Sequence, residues 1–222
     1  MVKIELEDVC KSIKRAEVLK NIQVSFEGGR IYGLKGYNGS GKTMLMRMIA
    51  GLILPTQGCV KISGKVLGKE LTFPESIGIL IENPAFLDAY TGLQNLKILA
   101  DIKKIITERE IAETLEVVGL DPKDKRKYRK YSLGMKQRLG IAAAVMEHNG
   151  ILLIDEPTNA LDTEGVKMAK ELLQKERDRG AAVIMACHDL SILEEICDEI
   201  YTIEKGMLKD PICPKPSGKE DT

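Results

Sequence analysis

The 222-residue sequence predicts an α/β fold in which one helical segment interrupts an alternation of strands and helices. Strand-like and helical runs alternate before residue 84 and after residue 148, whereas the pattern between them is helical. The run 151–154 is apolar at every position, as in a parallel strand buried on both faces. A glycine-rich segment at 36–43 lies between a strand-like run, 30–35, and a helix-forming run, 44–50.

The N-terminal part is predicted to consist mainly of strands. Residues 18–21 are expected to connect the first two strands, and Gly28-Gly29 to turn the chain into the strand at 30–35. Short alternating or apolar runs predict the other strands, at 2–9, 22–26, 59–63 and 77–81.

The helical segment is predicted to contain two capped helices. Thr91 with Gln94, and Thr107 with Glu110, fit the capping box that satisfies the first backbone N–H groups of a helix. Apolar residues at helical spacing follow each box, and Gly119 is expected to end the second helix. These apolar residues are Leu93, Leu96, Leu99 and Ala100 in the first helix, and Ile111, Leu115 and Val118 in the second.

The alternation resumes after residue 148, with strands expected at 151–154, 181–186 and 199–203 and helices at 163–179 and 190–197. We therefore expect one domain over residues 1–208, with a helical subdomain at about 84–148. Residues 209–222 contain prolines and then become polar, which predicts a loose tail.

Composition favours a protein of the reducing cytosol without a nucleic-acid partner. The 33 basic and 33 acidic residues cancel, so no net charge attracts nucleic acid or a membrane surface. The basic segment 123–130 could form a nucleic-acid patch, but a solvated surface loop is the preferred interpretation. The cysteines form no C-x-x-C pair, and neither a signal peptide nor a membrane span is expected.

The glycine-rich segment fits the phosphate-binding loop G-x-x-x-x-G-K-[ST] at every fixed position. Its glycines let successive backbone N–H groups point at phosphate oxygens, and the following helix directs its N-terminus at them. Lys42 is expected to reach the β- and γ-phosphates of a nucleotide, and Thr43 to offer a hydroxyl to Mg²⁺. A chance match in a glycine-rich turn is the alternative, which the flanking strand and helix disfavour. The loop consists of Gly36, Tyr37, Asn38, Gly39, Ser40, Gly41, Lys42 and Thr43.

Two acidic residues, Asp155 and Glu156, follow the apolar run 151–154. A buried strand that delivers carboxylates at its C-terminal end matches the Walker B element of phosphate-loop NTPases. Asp155 is expected to hold Mg²⁺, directly or through water, and Glu156 to polarise the attacking water. The alternative is a strand that ends in an ordinary polar turn.

With these elements on one chain, residues 2–208 resemble the nucleotide-binding subunit of ABC transporters. Residues 131–138, with the sequence YSLGMKQR, are similar to the family signature. Leu133 and Met135 depart from that signature, and the residues that match it are Ser132, Gly134, Gln137 and Arg138. Residues 157–162 resemble the D-loop, with Ala160 where the family usually has glycine, and His188 resembles the switch histidine.

The resemblance implies a P-loop NTPase core with a small antiparallel β subdomain and an inserted α-helical subdomain that carries the signature. It also implies ATP and Mg²⁺ as ligands. Lys42, Glu156 and His188 are the catalytic residues that it implies.

Two partners follow from the resemblance. The first is a second ATP-binding subunit, identical or closely related, stacked head to tail, so that Ser132, Gly134 and Met135 contact the ATP of the partner. The second is an integral membrane transporter subunit that docks near Glu82 and the helical subdomain. These partners imply a cytoplasmic protein, peripheral on the inner face of the cell membrane.

Two residues depart from the family pattern. Glu82 stands where the family usually has Gln; it is expected to bind Mg²⁺ directly or through water, or else to face solvent or the membrane partner. Ile13 stands where an aromatic residue usually stacks on adenine, so plain apolar contact is expected there. Met135 and Glu82, with the run 131–140 and Asn83-Pro84, resemble most closely the subgroup that exports antimicrobial peptides, such as bacitracin- and lantibiotic-resistance exporters. The function implied is ATP-driven export of a peptide or drug-like antimicrobial.

Two other functions stay open at this point: an ATPase subunit of a non-transport ABC assembly, and a regulatory nucleotide-binding module without turnover. The length of the sequence disfavours the first, since such assemblies carry two nucleotide domains or long coiled coils. The presence of Lys42, Asp155, Glu156 and His188 disfavours the second.

Overall fold

Two β-sheets organise the chain, of which a computed structural model describes residues 1–14, 16–82 and 84–214. The smaller sheet is antiparallel, with the order β2-β1-β4-β5. The larger sheet has the order β10-β9-β3-β8-β7-β6 and is parallel except for β10. The strands are β1 Lys3–Ile13, β2 Ala16–Glu27, β3 Arg30–Lys35, β4 Gln57–Ile62, β5 Lys65–Val66, β6 Ile77–Leu80, β7 Ile151–Asp155, β8 Ala182–Ala186, β9 Glu199–Glu204 and β10 Met207–Leu208.

Helices cover the larger sheet, which confirms the predicted α/β class. Both predicted capping boxes are present, because Thr91 and Gln94, and likewise Thr107 and Glu110, exchange side-chain and backbone hydrogen bonds. The helices are α1 Lys42–Ile49, α2 Gly92–Lys103, α3 Glu108–Val117, α4 Leu133–Val145, α5 Thr163–Asp178 and α6 Leu190–Ile196, with a 3₁₀ turn at Tyr128–Lys130. Helices α2 to α4 lie between residues 84 and 148, whose boundaries as a subdomain stay a prediction.

The core consists of two apolar clusters, one on each face of the larger sheet. Every residue of β7 and β8 is buried, as expected for central parallel strands. Helix α4 lies directly on β6: a Cβ atom added at Gly78 would come within 1.8 Å of the carbonyl oxygen of Ala144. The absence of a side chain at Gly78 therefore sets the distance between the sheet and α4.

Strand β2 begins at Ala16, so the prediction that 18–21 merely connects two strands is wrong. Residues 18–21 belong to β2 because the strand is hydrogen-bonded to β1. The register of this pair shifts at several points, so buried and exposed residues do not alternate regularly and the sequence shows no clear strand pattern. The predicted tail starts at residue 209, where the Lys209 N–H donates to the Thr202 carbonyl, and Ile212 pairs with Ile200 on β9. The rest of the predicted tail, 215–222, lies outside the described residues.

The helices of the described ranges are all too short or too polar to span a membrane.

Candidate active site

Three parallel strands end side by side and bring the predicted site residues to one edge of the sheet. Leu34 of β3 and Asp155 of β7 are both register partners of Ala186 on the central strand β8. The glycine-rich loop follows β3, Glu156 follows β7, and Cys187 and His188 follow β8. Residues far apart in the sequence therefore face one cleft, the usual ligand position at the carboxyl edge of such a sheet.

The glycine-rich loop 36–43 passes close to the backbone of neighbouring strands. A Cβ atom at Gly36 would lie 2.5 Å from the carbonyl oxygen of Ile203, so no larger residue fits there. Gly41 has a φ of 120°, a conformation that side chains disfavour, and it places the start of α1 directly after the loop. The conformation of the loop depends on these two glycines.

Two polar side chains of the loop are buried. Lys42 is 6% exposed, and its ammonium donates to the carbonyl oxygens of Gly36 and Tyr37 at 2.6 and 3.3 Å. The Ser40 hydroxyl is buried without a hydrogen-bond partner among the described residues. A buried hydroxyl without a partner costs free energy, and such groups are common where a ligand completes the hydrogen bonding.

Thr43 and Asp155 form a pair of oxygen donors at the start of α1. The Thr43 hydroxyl donates to Asp155 Oδ2 at 2.8 Å. Burial raises the pKa of the Asp155 carboxyl, and the negative charges of Glu156 and Glu82 raise it further, while Thr43 and Lys42 oppose the shift. The fold thus holds this carboxyl group where its ionised form costs folding free energy.

Glu156 and His188 are in contact across β7 and β8. His188 Nδ1 lies 2.8 Å from Glu156 Oε2, and the His188 side chain is 68% exposed whereas that of Glu156 is 21% exposed. Glu156 has a φ of 50°, and its N–H donates to the carbonyl of Ala186 at 2.8 Å. The strained backbone turns the carboxylate away from the strand and towards the ring of His188.

The signature residues lie at the start of α4. Ser132 caps this helix by accepting a hydrogen bond from the Met135 N–H at 3.2 Å, and a Cβ at Gly134 would lie 2.8 Å from the Ala160 carbonyl. Leu133 is 66% exposed, so the end of the helix faces outwards. Among the described residues no hydrogen bond joins Ser132, Gly134 or Met135 to the loop 36–43.

The remaining signature side chains connect α4 to the site, which sequence analysis did not anticipate. Gln137 is buried and its amide donates to the carbonyl oxygens of Glu156 and Pro157 at 3.0 and 3.2 Å. Arg138 donates to the Val118 carbonyl at 2.7 Å and to Asp162 Oδ1 at 2.9 Å. Gln137 and Arg138 could be singled out from the sequence because they match the signature. The signature does not indicate which residues of the same chain they contact.

The two residues that depart from the family pattern, Ile13 and Glu82, are both exposed. Ile13 ends β1 opposite Ala16 and is 38% exposed. Glu82 has a φ of 62° and accepts a hydrogen bond from Arg47 Nη2 at 2.7 Å, with its side chain 58% exposed. Arg47 lies one helical turn after Thr43 on α1, so Glu82 lies near the Thr43–Asp155 pair. Its carboxylate is nevertheless paired with Arg47.

Comparison with known proteins yields a family match and several relatives. A family profile described as ABC transporter matches residues 19–159. The uncharacterised ABC transporter ATP-binding protein YybJ of Bacillus subtilis (strain 168) is 46% identical, covering 93% of this chain and 94% of its own length. The bacitracin transport ATP-binding protein BcrA of Enterococcus faecalis is 37% identical, over 94% of this chain and 68% of its own length. The lantibiotic transport ATP-binding protein SrtF of Streptococcus pyogenes is 31% identical, over 92% of this chain and 88% of its own length.

Solved structures share the fold. One described as the ATP-binding subunit of an ABC transporter is 25% identical, with a TM-score of 0.87 over 95% of this chain and 89% of its own. A dimeric ATP-binding cassette bound to ADP and Pi after hydrolysis is 24% identical, with a TM-score of 0.87 over 97% of this chain and 99% of its own. These matches confirm the predicted fold class.

Asp155→Asn is expected to raise the thermal unfolding midpoint of the ligand-free protein at neutral pH. The fold raises the pKa of Asp155 above its ordinary value of 3.8, so the ionised carboxylate costs folding free energy at higher pH. That cost fades as the pH falls through the raised pKa and is absent well below 3.8. The advantage of the variant should therefore shrink as the pH is lowered, which thermal unfolding at a series of pH values measures.

Asp162→Asn is the matched control, because the fold lowers the pKa of Asp162 through the Gly165 N–H and through Arg138. Its ionised form is favoured in the folded state, so this variant should gain no stability at neutral pH. A gain for Asp155→Asn that is equal at all pH values, or no gain at all, would contradict the account of a costly buried carboxylate.

Proposed function

We propose that this chain, which belongs to the ABC transporter family as an ATP-binding, ATP-hydrolysing subunit, drives export through a separate membrane subunit. The proposed substrate is a peptide or drug-like antimicrobial. The family and the ATPase function predicted from the sequence are confirmed. The observation that carries the proposal is the convergence of Lys42, Thr43, Asp155, Glu156 and His188 at one sheet edge. The bacitracin and lantibiotic transport proteins among the relatives support the substrate class.

Phosphate binding is assigned to the loop 36–43 and Lys42. The ammonium of Lys42 is held against the loop by two backbone carbonyls, so little reorganisation is needed for it to meet the β- and γ-phosphates. Helix α1 begins at Lys42 without a side-chain cap, so its first backbone N–H groups and the positive end of its dipole favour an anion at the loop. The exposed Ile13 is proposed to contact the adenine base.

Thr43 and Asp155 fit a magnesium ion, since hard oxygen ligands are what Mg²⁺ prefers. Their oxygens are 2.8 Å apart, and the raised pKa of Asp155 reflects a burial cost that a cation offsets. When bound, Mg²⁺ neutralises charge on the phosphates. We assign Glu82 to the same metal, at the outer side of the site.

Glu156 and His188 are assigned to hydrolysis. The Glu156 carboxylate accepts the proton of the attacking water, and its contact with His188 holds it towards the cleft. The exposed His188 ring then faces the transferred phosphoryl group, where Nε2, when it carries a proton, donates a hydrogen bond that stabilises negative charge. Both side chains are positioned by neighbouring parallel strands, so their separation is fixed by the sheet.

A second ATP-binding subunit is the first proposed partner. Ser132, Gly134 and Met135 form an outward-facing helix N-terminus, which suits an anion supplied from outside the chain. In a head-to-tail pair this end of α4 contacts the γ-phosphate held by the loop of the other subunit. ATP then joins the two chains, and hydrolysis separates them.

An integral membrane subunit is the second proposed partner. A cleft of about 460 Å³ lies beside α4, and its lining includes Pro84, Phe86 and Tyr128. Leu87 and Tyr90, on the approach to α2, are 51% and 42% exposed. This partly apolar surface, which follows Glu82 in the sequence, is suited to a docking element of the membrane subunit. Such docking would hold the chain at the cytoplasmic face of the membrane.

Glu156→Gln is expected to lower the ATPase rate about 10²- to 10⁴-fold, because the amide cannot accept the proton of water. ATP binding should persist, so a dimer should accumulate with ATP and Mg²⁺ and be visible by size-exclusion chromatography. Glu171→Gln, an exposed position on α5, is the control. Wild-type turnover in Glu156→Gln would remove this residue from the catalytic role.

Glu82→Gln is expected to increase the Mg²⁺ concentration needed for half-maximal ATPase activity of the isolated chain, because a neutral amide binds Mg²⁺ less well than a carboxylate. Arg47→Gln provides the matched comparison: it frees Glu82 from its ion pair and should lower that concentration. If neither variant moves the Mg²⁺ dependence, Glu82 serves only as a partner for Arg47 or a docking residue.

A further inference from the structure

A thiol lies beside the two side chains assigned to hydrolysis, and the proposed function does not use it. Cys187 follows β8 directly before His188, and Glu156 follows the neighbouring strand β7. One ligand atom from each of Glu156, Cys187 and His188 lies within 4.8 Å of the other two. These atoms are a carboxylate oxygen, a thiol sulfur and an imidazole nitrogen, three different donors that together suit a soft divalent cation.

Cys187 differs from a cysteine that merely fills the core. It is fully buried, yet its sulfur lies 4.0 Å from the Thr158 hydroxyl. Burial raises the pKa of the Cys187 thiol, and the charge of Glu156 raises it further. Cys197, by contrast, lies against Gly33, whose added Cβ would be 3.0 Å from its sulfur and 3.1 Å from Leu193. The thiol of Cys187 therefore lies at the edge of the core, beside the polar groups of Thr158 and Glu156.

We propose that Glu156, Cys187 and His188 form a binding site for a thiophilic divalent cation, with Zn²⁺ as its representative, and that occupation of this site stops ATP hydrolysis. The inhibitory part rests on the proposed function, because it requires Glu156 and His188 to act in hydrolysis. The binding part rests on the three donors alone. The site is separate from the oxygen pair of Thr43 and Asp155, which suits the harder Mg²⁺.

The three ligand atoms of Glu156, Cys187 and His188 need to move only slightly to bind zinc. Zn²⁺ binds sulfur at about 2.3 Å and nitrogen or oxygen at about 2.0–2.2 Å, so tetrahedral ligands lie roughly 3.3–3.8 Å apart. His188 Nδ1 and Glu156 Oε2 are 2.8 Å apart and must separate slightly, while the sulfur approaches. Because the His188 ring is 68% exposed, the fourth position can be taken by water.

Binding changes the proton positions in a defined way. The Cys187 thiol releases its proton to solvent and binds as thiolate, and His188 binds through Nδ1 with its proton on Nε2. The hydrogen bond between His188 and Glu156 is replaced by two bonds to the metal. Glu156 can then no longer accept the proton of water, which is the reason hydrolysis stops.

The binding test uses the full chain with Co²⁺ alone, without nucleotide. A thiolate ligand gives Co²⁺ a near-ultraviolet charge-transfer band, which should appear with the wild-type chain and disappear in Cys187→Ser. Cys213→Ser removes an exposed cysteine and is the matched control, in which the band should persist. Added Zn²⁺ should displace Co²⁺ and abolish the band.

The inhibition test measures ATPase activity against Zn²⁺ in excess Mg²⁺. Cys187→Ser should hydrolyse ATP like the wild type without Zn²⁺ but require about 10-fold or more Zn²⁺ for inhibition, since losing a ligand costs at least as much affinity as losing an outer-shell partner. A missing band in the wild type, or an unchanged band in Cys187→Ser, would overturn the site. Equal zinc sensitivity of both proteins would overturn the inhibition. If the wild type lacks ATPase activity but shows the band, the proposed function fails and the metal site stands.

Discussion

Backbone hydrogen bonds between β3, β8 and β7 are the constraint on which the candidate site depends. Each strand ends in a chemically different segment, and the common register with Ala186 fixes how these segments face one another. The 2.8 Å contacts between Thr43 and Asp155 and between Glu156 and His188 both follow from this register. A slip of one residue would turn the side chains of β7 to the opposite face of the sheet. The full burial of β7 and β8 makes such a slip costly.

A second set of contacts ties the outward-facing end of α4 to this edge. Gln137 holds the carbonyls of Glu156 and Pro157, and Arg138 joins the start of α5 to the end of α3 through Asp162 and Val118. Gly134 lets Ala160, which has a φ of 61°, approach the first turn of α4. Hydrogen bonds within one chain therefore connect the helix that carries Ser132 and Gly134 to the backbone of Glu156.

Short local patterns in the sequence were sufficient to predict several residues that the structure brings together at the candidate site. Lys42, Thr43 and Asp155 could be named because a loop or strand end carries each of them at a fixed spacing, and the capping boxes of α2 and α3 are equally local. The ion pair between Glu82 and Arg47 could not be foreseen, since it joins exposed residues 35 positions apart through a positive φ at Glu82. The full extent of β2 depends on pairing with β1. The proximity of Cys187 to Glu156 likewise depends on the pairing of β7 with β8.

The claim that two chains share each nucleotide site is tested most directly by mixing two inactive variants. Lys42→Ala removes the phosphate contact of the loop, whereas Ser132→Asp still caps α4 but places a negative charge where the γ-phosphate of the partner should lie. A mixed dimer retains one site with an intact loop and an intact signature. The account predicts that each variant alone lacks ATPase activity and that their mixture regains it. A mixture as inactive as its components would contradict a site built from both chains.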